Sequence, residues 1–287
     1  MSTIGGRGKF GVGRRVSTYL LNIYSGAAVA FSLRKLSSTY SGSAIRVRRS
    51  SDNTEQNIGF NGSGDLDTSA LTSFVGAGNG FVKTWYDQSG NNRDVTQANT
   101  NNQPQIVSGG TVLTTGIRFD GSNDYLVTSS IFSLIRPATA FGVFSNLSTG
   151  AAGQPKPVYG MGGTTFIDRF AVSQSGSNTL TVSSSGGAGG NFEGSQILPK
   201  TYTQGQFVLD SVIFVSGSQY IHSLNGNSTS GTPTVSSLDG NTYFSIGNYF
   251  FYGYAKFDIK EVIYFSGNMS SNVSAIQSNM NKKYLIY

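Results

Sequence analysis

The most constraining feature of this sequence is the density of turn-forming residues between short runs that suit β-strands. Glycine occurs 38 times in 287 residues and proline only 6 times, while serine, threonine and asparagine separate the apolar runs throughout. The run 81–86 (Phe-Val-Lys-Thr-Trp-Tyr) suits a pleated, half-buried strand, and the Asp-Gln-Ser-Gly-Asn-Asn after it tolerates positive φ. Repeated along the chain, this pattern predicts an all-β protein.

The periodicity of apolar residues predicts the order of elements. One short helix is expected where Leu66, Ala70, Leu71 and Phe74 fall at helical spacing after Asp67 or Thr68 as N-cap. A second is expected near the C-terminus, capped by Ser270 or Ser271, with Val273, Ile276, Met280 and Tyr284 on one face. The main strands are expected at 28–36, 44–50, 81–86, 138–144, 166–173, 178–183, 206–215 and 219–224. The last of them is expected to end in a turn at 224–227 (Leu-Asn-Gly-Asn).

Charge is distributed unevenly along the chain. The first 51 residues hold nine basic side chains and no acidic one, whereas the other 236 residues carry 11 basic and 14 acidic side chains. This asymmetry predicts an N-terminal arm, residues 1–27, that docks on an acidic partner, followed by one domain from 28 to 287. The alternative is a solvated basic tail. The assembly contacts expected in the arm are Arg7, Lys9, Phe10, Arg14 and Arg15.

Cysteine is absent and charged residues make up only 12% of the chain. No disulfide framework can form, so folding in a reducing cytoplasm is permitted. The sequence has neither the ~18-residue apolar run of a membrane span nor the apolar region of a secretory signal. Cytoplasmic assembly without membrane insertion is therefore expected. Nucleic-acid binding is disfavoured because the basic residues are not interleaved with the aromatic ones.

Several blocks of the sequence resemble the catalytic domain of fungal arabinofuranosidase B. They are 31–36 (Phe-Ser-Leu-Arg-Lys-Leu), 45–52 (Ile-Arg-Val-Arg-Arg-Ser-Ser-Asp) and 84–90 (Thr-Trp-Tyr-Asp-Gln-Ser-Gly). The Phe-Asp-Gly turn at 119–121 resembles laminin-G-like sandwiches, and 243–248 and 257–265 resemble the closing strands of concanavalin A-like modules. The resemblance implies a concanavalin A-like jelly-roll β-sandwich, here with an extended N-terminal arm and one or two short helices. The chain is also similar to bacteriophage structural proteins with a lectin-like sandwich, and it resembles those more closely.

The resemblance also implies where catalytic carboxylates would lie. The family nucleophile, a glutamate, corresponds at best to Asp168, and the family acid/base aspartate corresponds to Asn248. Without a general acid the chain would lose the ~10²–10⁴-fold that proton transfer contributes. On this basis the sequence predicts a non-enzymatic protein with no catalytic residue.

The aromatic run 248–254 and the loop after Trp85 are the candidate contact residues for a glycan or a neighbouring subunit. Aromatic rings stack on sugars and also pack at subunit interfaces, while carboxylates and amides bind sugar hydroxyls. The alternative is a strand buried on both faces. The candidate residues are Trp85, Asp87, Gln88, Asn248, Tyr249, Tyr252 and Tyr254.

No cofactor is expected, with one open alternative. A Ca²⁺ site built from Asp120, Asp124 and loop carbonyls is chemically reasonable. A zinc site is disfavoured because the chain has no cysteine and a single histidine, His222.

The sequence-based interpretation is a non-enzymatic bacteriophage virion protein, decorating the head or part of the tail, assembled in the host cytoplasm in many copies. Its expected partners are other virion proteins, with a glycan as a further candidate ligand. Two alternatives stay open. One is a glycoside hydrolase related to arabinofuranosidase B, which requires a facing carboxylate pair in a cleft, and the other is a cellular carbohydrate-binding module.

Overall fold

The protein is described by a computed structural model that covers residues 19–134, 137–147, 156–162, 169–174, 178–185, 197–216, 219–232, 240–247 and 253–287. The helices are α1 (Leu20–Ile23), α2 (Thr68–Val75), α3 (Val273–Tyr284) and a 3₁₀ turn (Thr100–Asn102). The strands are β1 (Ala27–Ser32), β2 (Ile45–Arg49), β3 (Glu55–Ile58), β4 (Gly80–Trp85), β5 (Val95–Thr96), β6 (Gln105–Ser108), β7 (Thr111–Val112), β8 (Ile117–Asp120), β9 (Leu126–Thr128), β10 (Phe132–Leu134), β11 (Ala138–Asn146), β12 (Lys156–Gly162), β13 (Arg169–Gln174), β14 (Thr179–Ser185), β15 (Ile197–Thr201), β16 (Phe207–Ser216), β17 (Gln219–Leu224), β18 (Asn227–Gly231), β19 (Gly240–Ile246) and β20 (Lys256–Phe265).

The strands pair antiparallel throughout and form two layers that nearly close on each other. One layer runs β3-β2-β4-β5-β9-β19-β12-β13-β14-β15. The other runs from β1 and β8, which share one edge of β20, through β11, β16 and β17 to β18. Strand β6 joins the layers because it pairs with both β4 and β8. The expectation of an all-β sandwich is confirmed.

The second layer is buried on both faces. Phe144 on β11 and Tyr264 on β20 point between the layers, while Phe141 and Ile263 on the same strands point outward. Alternate residues of a strand face opposite sides of a sheet, so a strand that is apolar at every position needs a cover on both sides. Helices α1 and α3 supply the outer cover, contributing among others Leu20, Ile276 and Met280.

Helices α2 and α3 form close to where the sequence predicts them, whereas α1 was not predicted. Asp67 caps α2, and its side chain accepts a hydrogen bond from the Ala70 N–H at 2.9 Å. The expected cap of α3 at Ser270 or Ser271 is wrong, because Asn272 precedes the first helical residue. In the described part of the chain, none of the helices has the length and hydropathy of a membrane span.

Strand β1 ends earlier than the predicted range 28–36. It pairs with β20 as far as Ser32, after which the Leu33 N–H still bonds the Lys260 carbonyl. Beyond that point Lys35 and Leu36 bond other loops, so the chain leaves the sheet. The predicted turn at 224–227 is confirmed as a two-residue hairpin, with Asn225 and Gly226 both at positive φ. The predicted arm lies mostly in residues 1–18, outside the described residues.

Candidate active site

A polar cleft of about 480 Å³ opens beside the loop that follows β4. Its walls come from three segments: the end of α1 and start of β1, the loop 37–42, and the loop 86–94. Residues more than 40 positions apart in sequence therefore meet here. The cleft is lined by Leu21, Ser25, Gly26, Ala27, Ser37, Thr39, Tyr40, Ser41, Gly42, Tyr86, Asp87, Gln88, Ser89, Gly90, Asn92 and Asp94.

Asp87 is held rigidly at the base of this cleft. Its Oδ1 accepts hydrogen bonds from the Ala30 N–H at 2.8 Å and the Ser89 N–H at 2.9 Å. Its Oδ2 accepts from the Ser89 hydroxyl at 2.7 Å and the Arg93 N–H at 3.1 Å. These four bonds occupy the acceptor sites of a carboxylate. Asp87 thus places a fixed group at the cleft with no further acceptor position for a ligand.

Gln88 joins the same loop to the end of β1. Its backbone N–H bonds the Ala30 carbonyl at 2.8 Å. Its side chain accepts from the Leu36 N–H at 2.8 Å and donates to the carbonyls of Ser32 and Arg34, both at 3.0 Å. The hydrogen bonds of the Asp-Gln-Ser sequence therefore fix the position of residues 30–36, which lie more than 50 positions earlier in the chain.

Asp94 is the carboxyl group in the cleft whose ionisation is perturbed. Burial raises the pKa of Asp94, and the neighbouring Asp87 charge raises it further, although a hydrogen bond from the Asp87 N–H to Asp94 Oδ1 at 2.8 Å opposes the shift. Burial and the charges of Asp94 and Asp87 likewise raise the pKa of Tyr40. A carboxyl that keeps its proton to higher pH can act as a general acid.

Tyr40 and Tyr86 provide the aromatic surface of the cleft. The Tyr40 hydroxyl donates to the Ser43 carbonyl at 2.8 Å, and its ring packs edge-on against Phe60. The Tyr86 hydroxyl donates to Asn57 Oδ1 at 2.9 Å. Each ring is half-buried and fixed by its hydroxyl. Two such rings beside polar groups form a surface on which a sugar face can stack.

The structure places the other predicted contact residues in different environments. Trp85 is fully buried and packs against Phe31 with 6.0 Å between ring centroids. Tyr254 is half-buried, and burial raises its pKa, with Tyr125 adding to the shift. Asn248, Tyr249 and Tyr252 lie outside the described residues, as do Arg7, Lys9, Phe10, Arg14 and Arg15.

Asp120 and Asp124 form a carboxyl pair in the turn between β8 and β9. Asp124 Oδ2 accepts from the Asp120 N–H at 2.9 Å, and Asp120 Oδ1 accepts from the Ser122 N–H at 2.7 Å. Burial, together with the charge of Asp120, raises the pKa of Asp124 to about 6. Calcium needs six to eight oxygen ligands, and among the described residues no third acidic or histidine side chain joins this pair. The two groups therefore act as a turn cap in this structure.

Asp168 and Asn248, the positions that the resemblance assigns to the catalytic pair, lie outside the described residues.

Comparisons with known proteins find one matching family model and several solved structures to which this chain is similar. The family described as alpha-L-arabinofuranosidase B, catalytic, matches residues 23–159. Among solved structures, the chain is similar to an arabinofuranosidase complexed with arabinofuranosyl-alpha-1,2-xylobiose, at 15% identity and a TM-score of 0.67. It is also similar to a glutamate-to-glutamine mutant of a GH54 α-L-arabinofuranosidase soaked with 4-nitrophenyl α-L-arabinofuranoside, at 16% identity and a TM-score of 0.68. Among curated proteins, no match to the chain was found.

Each of these alignments covers 91% of this chain but only 63% of the other. At this identity the likeness establishes a shared fold. The family match covers residues 23–159, which include every residue that lines the cleft except Leu21.

The comparisons overturn the prediction of a non-enzymatic bacteriophage virion protein located in a capsid or tail. They favour the glycoside hydrolase alternative, and nothing in them indicates a phage origin. The reason for the error is physical. The prediction judged catalysis by whether carboxylates stand at two positions of a linear motif, whereas the ability to donate a proton depends on burial and neighbouring charge. The structure supplies both at Asp94.

Proposed function

We propose that this protein is a glycoside hydrolase that acts on α-L-arabinofuranosides, with the Asp87–Asp94 cleft as its active site. The observation that carries the proposal is the placement of Asp94, a half-buried carboxyl that accepts a hydrogen bond from the Asp87 N–H, on a polar cleft inside the segment that matches an arabinofuranosidase catalytic family. The similarity to solved arabinofuranosidases supports the same reading and a concanavalin A-like jelly-roll topology.

The two carboxyl groups have different environments and hence different roles. Asp94, which keeps its proton to higher pH, protonates the oxygen of the leaving group as the glycosidic bond breaks. The carbon left behind develops oxocarbenium character. A water molecule then takes the place of the leaving group and forms the new C–O bond, and the Asp94 carboxylate takes the proton of that water, which restores the acid. Asp87, fixed by four hydrogen bonds, stabilises that positive charge without reorganising during the reaction. The rings of Tyr40 and Tyr86 orient the sugar.

The proposal is tested by hydrolysis of 4-nitrophenyl α-L-arabinofuranoside, with 4-nitrophenyl β-D-xylopyranoside as a substrate control. Asp94→Asn is expected to lower kcat/KM by ~10²–10⁴-fold, the usual contribution of a general acid. The matched control is Asp52→Asn, an exposed aspartate paired with Arg49 away from the cleft, which should leave the rate unchanged. The wild-type rate should fall as pH rises through the raised pKa of Asp94.

Two outcomes would contradict the proposal. The first is no hydrolysis of any aryl furanoside by the folded wild type while arabinose still binds, which would favour a carbohydrate-binding module. The second is hydrolysis that is equally fast in Asp94→Asn, which would move the active site away from this cleft.

A further inference from the structure

A second groove, separate from the cleft, lies between α2, the β6–β8 connections, β20 and the end of α3. Its volume is about 540 Å³, which is within the range of small-molecule sites. No residue lines both the cleft and the groove. The groove is lined by Leu33, Arg34, Asp65, Leu66, Thr68, Thr72, Ile106, Gly110, Thr111, Val112, Leu113, Thr114, Gly116, Lys260, Lys283 and Tyr284.

One wall of the groove is apolar. Leu66 and Ile106 form its buried base, and the half-buried side chains of Leu33, Val112 and Leu113 rise beside them. Apolar side chains of this size gain free energy when a ligand removes their remaining surface from water. Sugars, which present hydroxyl groups on most sides, are poorly matched to such a wall. The lining thus favours a ligand with an apolar body.

The opposite end of the groove is charged, and most of its charges are already paired. Arg34 makes two hydrogen bonds to Glu261, from Nε at 2.7 Å and from Nη2 at 2.9 Å. Lys283 contacts the Asp65 carboxylate. These pairs neutralise each other and leave little attraction for an additional ion.

Lys260 differs from its neighbours. Within the described part of the chain, its ammonium group makes no ion pair within 4.0 Å of a carboxylate. It lies instead over two aromatic rings, 4.3 Å from the Phe207 centroid and 5.8 Å from that of Tyr284. Burial lowers the pKa of Lys260, and Lys283 adds to this, while Asp258 opposes it. A half-buried cation without a counterion gains most from an anion brought by a ligand.

We propose that this groove binds a small amphiphile that carries one carboxylate, such as a medium-chain fatty acid. The chain lies against Leu66, Ile106 and Val112, and the carboxylate pairs with Lys260. This activity is independent of the proposed glycoside hydrolysis, because the two depressions have no residue in common.

Isothermal titration calorimetry with octanoate and octanol tests the proposal, since the two probes differ only in the charged head. The wild type should bind one octanoate per chain, at least tenfold more tightly than octanol. Lys260→Met should lose that tenfold preference while still binding octanol, because the apolar wall is intact. Lys282→Met, which alters an exposed lysine of α3 outside the groove, should behave as the wild type.

Two further variants keep the test decisive if Lys260→Met fails to fold. Lys260→Arg retains the cation, so its affinity for octanoate should stay within about threefold of the wild-type value. Leu113→Glu places a carboxylate on the apolar wall and should lower the affinity for octanoate more than the affinity for octanol. Absence of octanoate binding at millimolar concentration overturns the proposal, as does unchanged preference in Lys260→Met. Octanoate should leave the hydrolysis of aryl glycosides unaffected; inhibition in competition with substrate would place it in the cleft and also overturn the proposal.

Discussion

At the scale of single residues, Asp94 links a proposed catalytic role to a cost in stability. Its folded-state pKa is raised by burial and by Asp87. The protonated form is therefore favoured by folding, and the stability that it contributes is complete below the ordinary Asp pKa of about 3.9. That contribution is lost as pH rises through the raised pKa.

It follows that Asp94→Asn should not weaken the fold at pH 7. An asparagine oxygen can still accept the Asp87 N–H bond, and the repulsion between two carboxylates disappears. We expect an increase in Tm of about 1–3 °C, the shift that corresponds to somewhat under 1 kcal/mol in a domain of this size. Differential scanning calorimetry of the wild type and variant at pH 7 measures it. A clear loss of Tm would show that the Asp94 carboxylate stabilises the fold.

Asp124 gives a pH-dependent prediction of the same sign. Its pKa is raised to about 6 by burial and by the charge of Asp120, so its stabilising contribution is present below about pH 4 and is lost as pH rises through 6. The Tm of the wild type relative to Asp124→Asn should thus fall by about 2–5 °C between pH 4 and pH 7.

The control for Asp124 is Asp52, an exposed residue whose pKa is shifted in the opposite direction. The Arg49 side chain and the Thr54 backbone N–H hold the pKa of Asp52 well below its usual range. The Tm of the wild type relative to that of Asp52→Asn should therefore rise slightly between pH 2 and pH 5. If the Tm differences for the two variants change with pH in the same direction, the opposite pKa shifts assigned to Asp124 and Asp52 are incorrect.

At the scale of elements, β20 organises the outer face of its layer around Glu261. This fully buried carboxylate accepts hydrogen bonds from Arg34, from the Ser32 hydroxyl at 2.8 Å and from the Tyr284 hydroxyl at 2.8 Å. Glu261 lies on β20, Ser32 ends β1 and Tyr284 ends α3. One side chain thereby joins three elements.

We expect Glu261→Gln to lower the free energy of unfolding by about 3–5 kcal/mol, because it leaves the Arg34 guanidinium buried without a counterion. Urea denaturation followed by circular dichroism measures the change. The matched control is Glu55→Gln, which removes a more exposed carboxylate paired with Arg46 and Lys83 and should cost at most about 1 kcal/mol. If Glu261→Gln and Glu55→Gln lowered the free energy of unfolding equally, Glu261 would not be the buried counterion that stabilises Arg34.

At the scale of the whole molecule, a buried polar network joins the two layers through residues of β12, β15, β16 and β17. Asp210 on β16 accepts from the Tyr159 hydroxyl at 2.6 Å and contacts His222 Nε2 at 2.6 Å. His222 Nδ1 lies 2.7 Å from the Leu198 carbonyl of β15. Tyr159 and Leu198 belong to one layer, and Asp210 and His222 to the other.

Because this network spans both layers, removing part of it should destabilise the sandwich as a single unit. Tyr159→Phe deletes one donor and should cost about 1–2 kcal/mol, while Asp210→Asn disrupts every contact of the carboxylate and should cost about 3 kcal/mol or more. Near- and far-ultraviolet circular dichroism should report one coincident transition for each variant. Separate transitions would show that the two layers unfold independently.

Much of the fold could be predicted from patterns of neighbouring residues in the sequence. The Asn225–Gly226 hairpin and the Asp67-capped helix form where the sequence predicts them, because turn chemistry and helical spacing act over a few residues. The end of β1 and the cap of α3 differ from prediction, because pairing with distant segments decides them.

The candidate site was only partly accessible from the sequence. The loop after Trp85 stands out as a motif, but Asp94 does not, since an isolated aspartate in a polar loop carries no local signal of burial. Tyr40 and Asp94 lie 54 positions apart, and it is pairing of β2 with β4 and bonding of Asp87 to β1 that brings them together. The unpaired state of Lys260 likewise depends on which charges its neighbours neutralise.

The sequence by itself determined that this chain is all-β with short helices, because side-chain alternation, turn residues and caps are properties of neighbouring positions. Only the tertiary structure decided which carboxyl groups are perturbed, which cation lacks a counterion and where the depressions lie. Burial and electrostatic interaction depend on distance in space, and strand pairing between residues over 200 positions apart, such as Ser32 with Glu261, sets that distance.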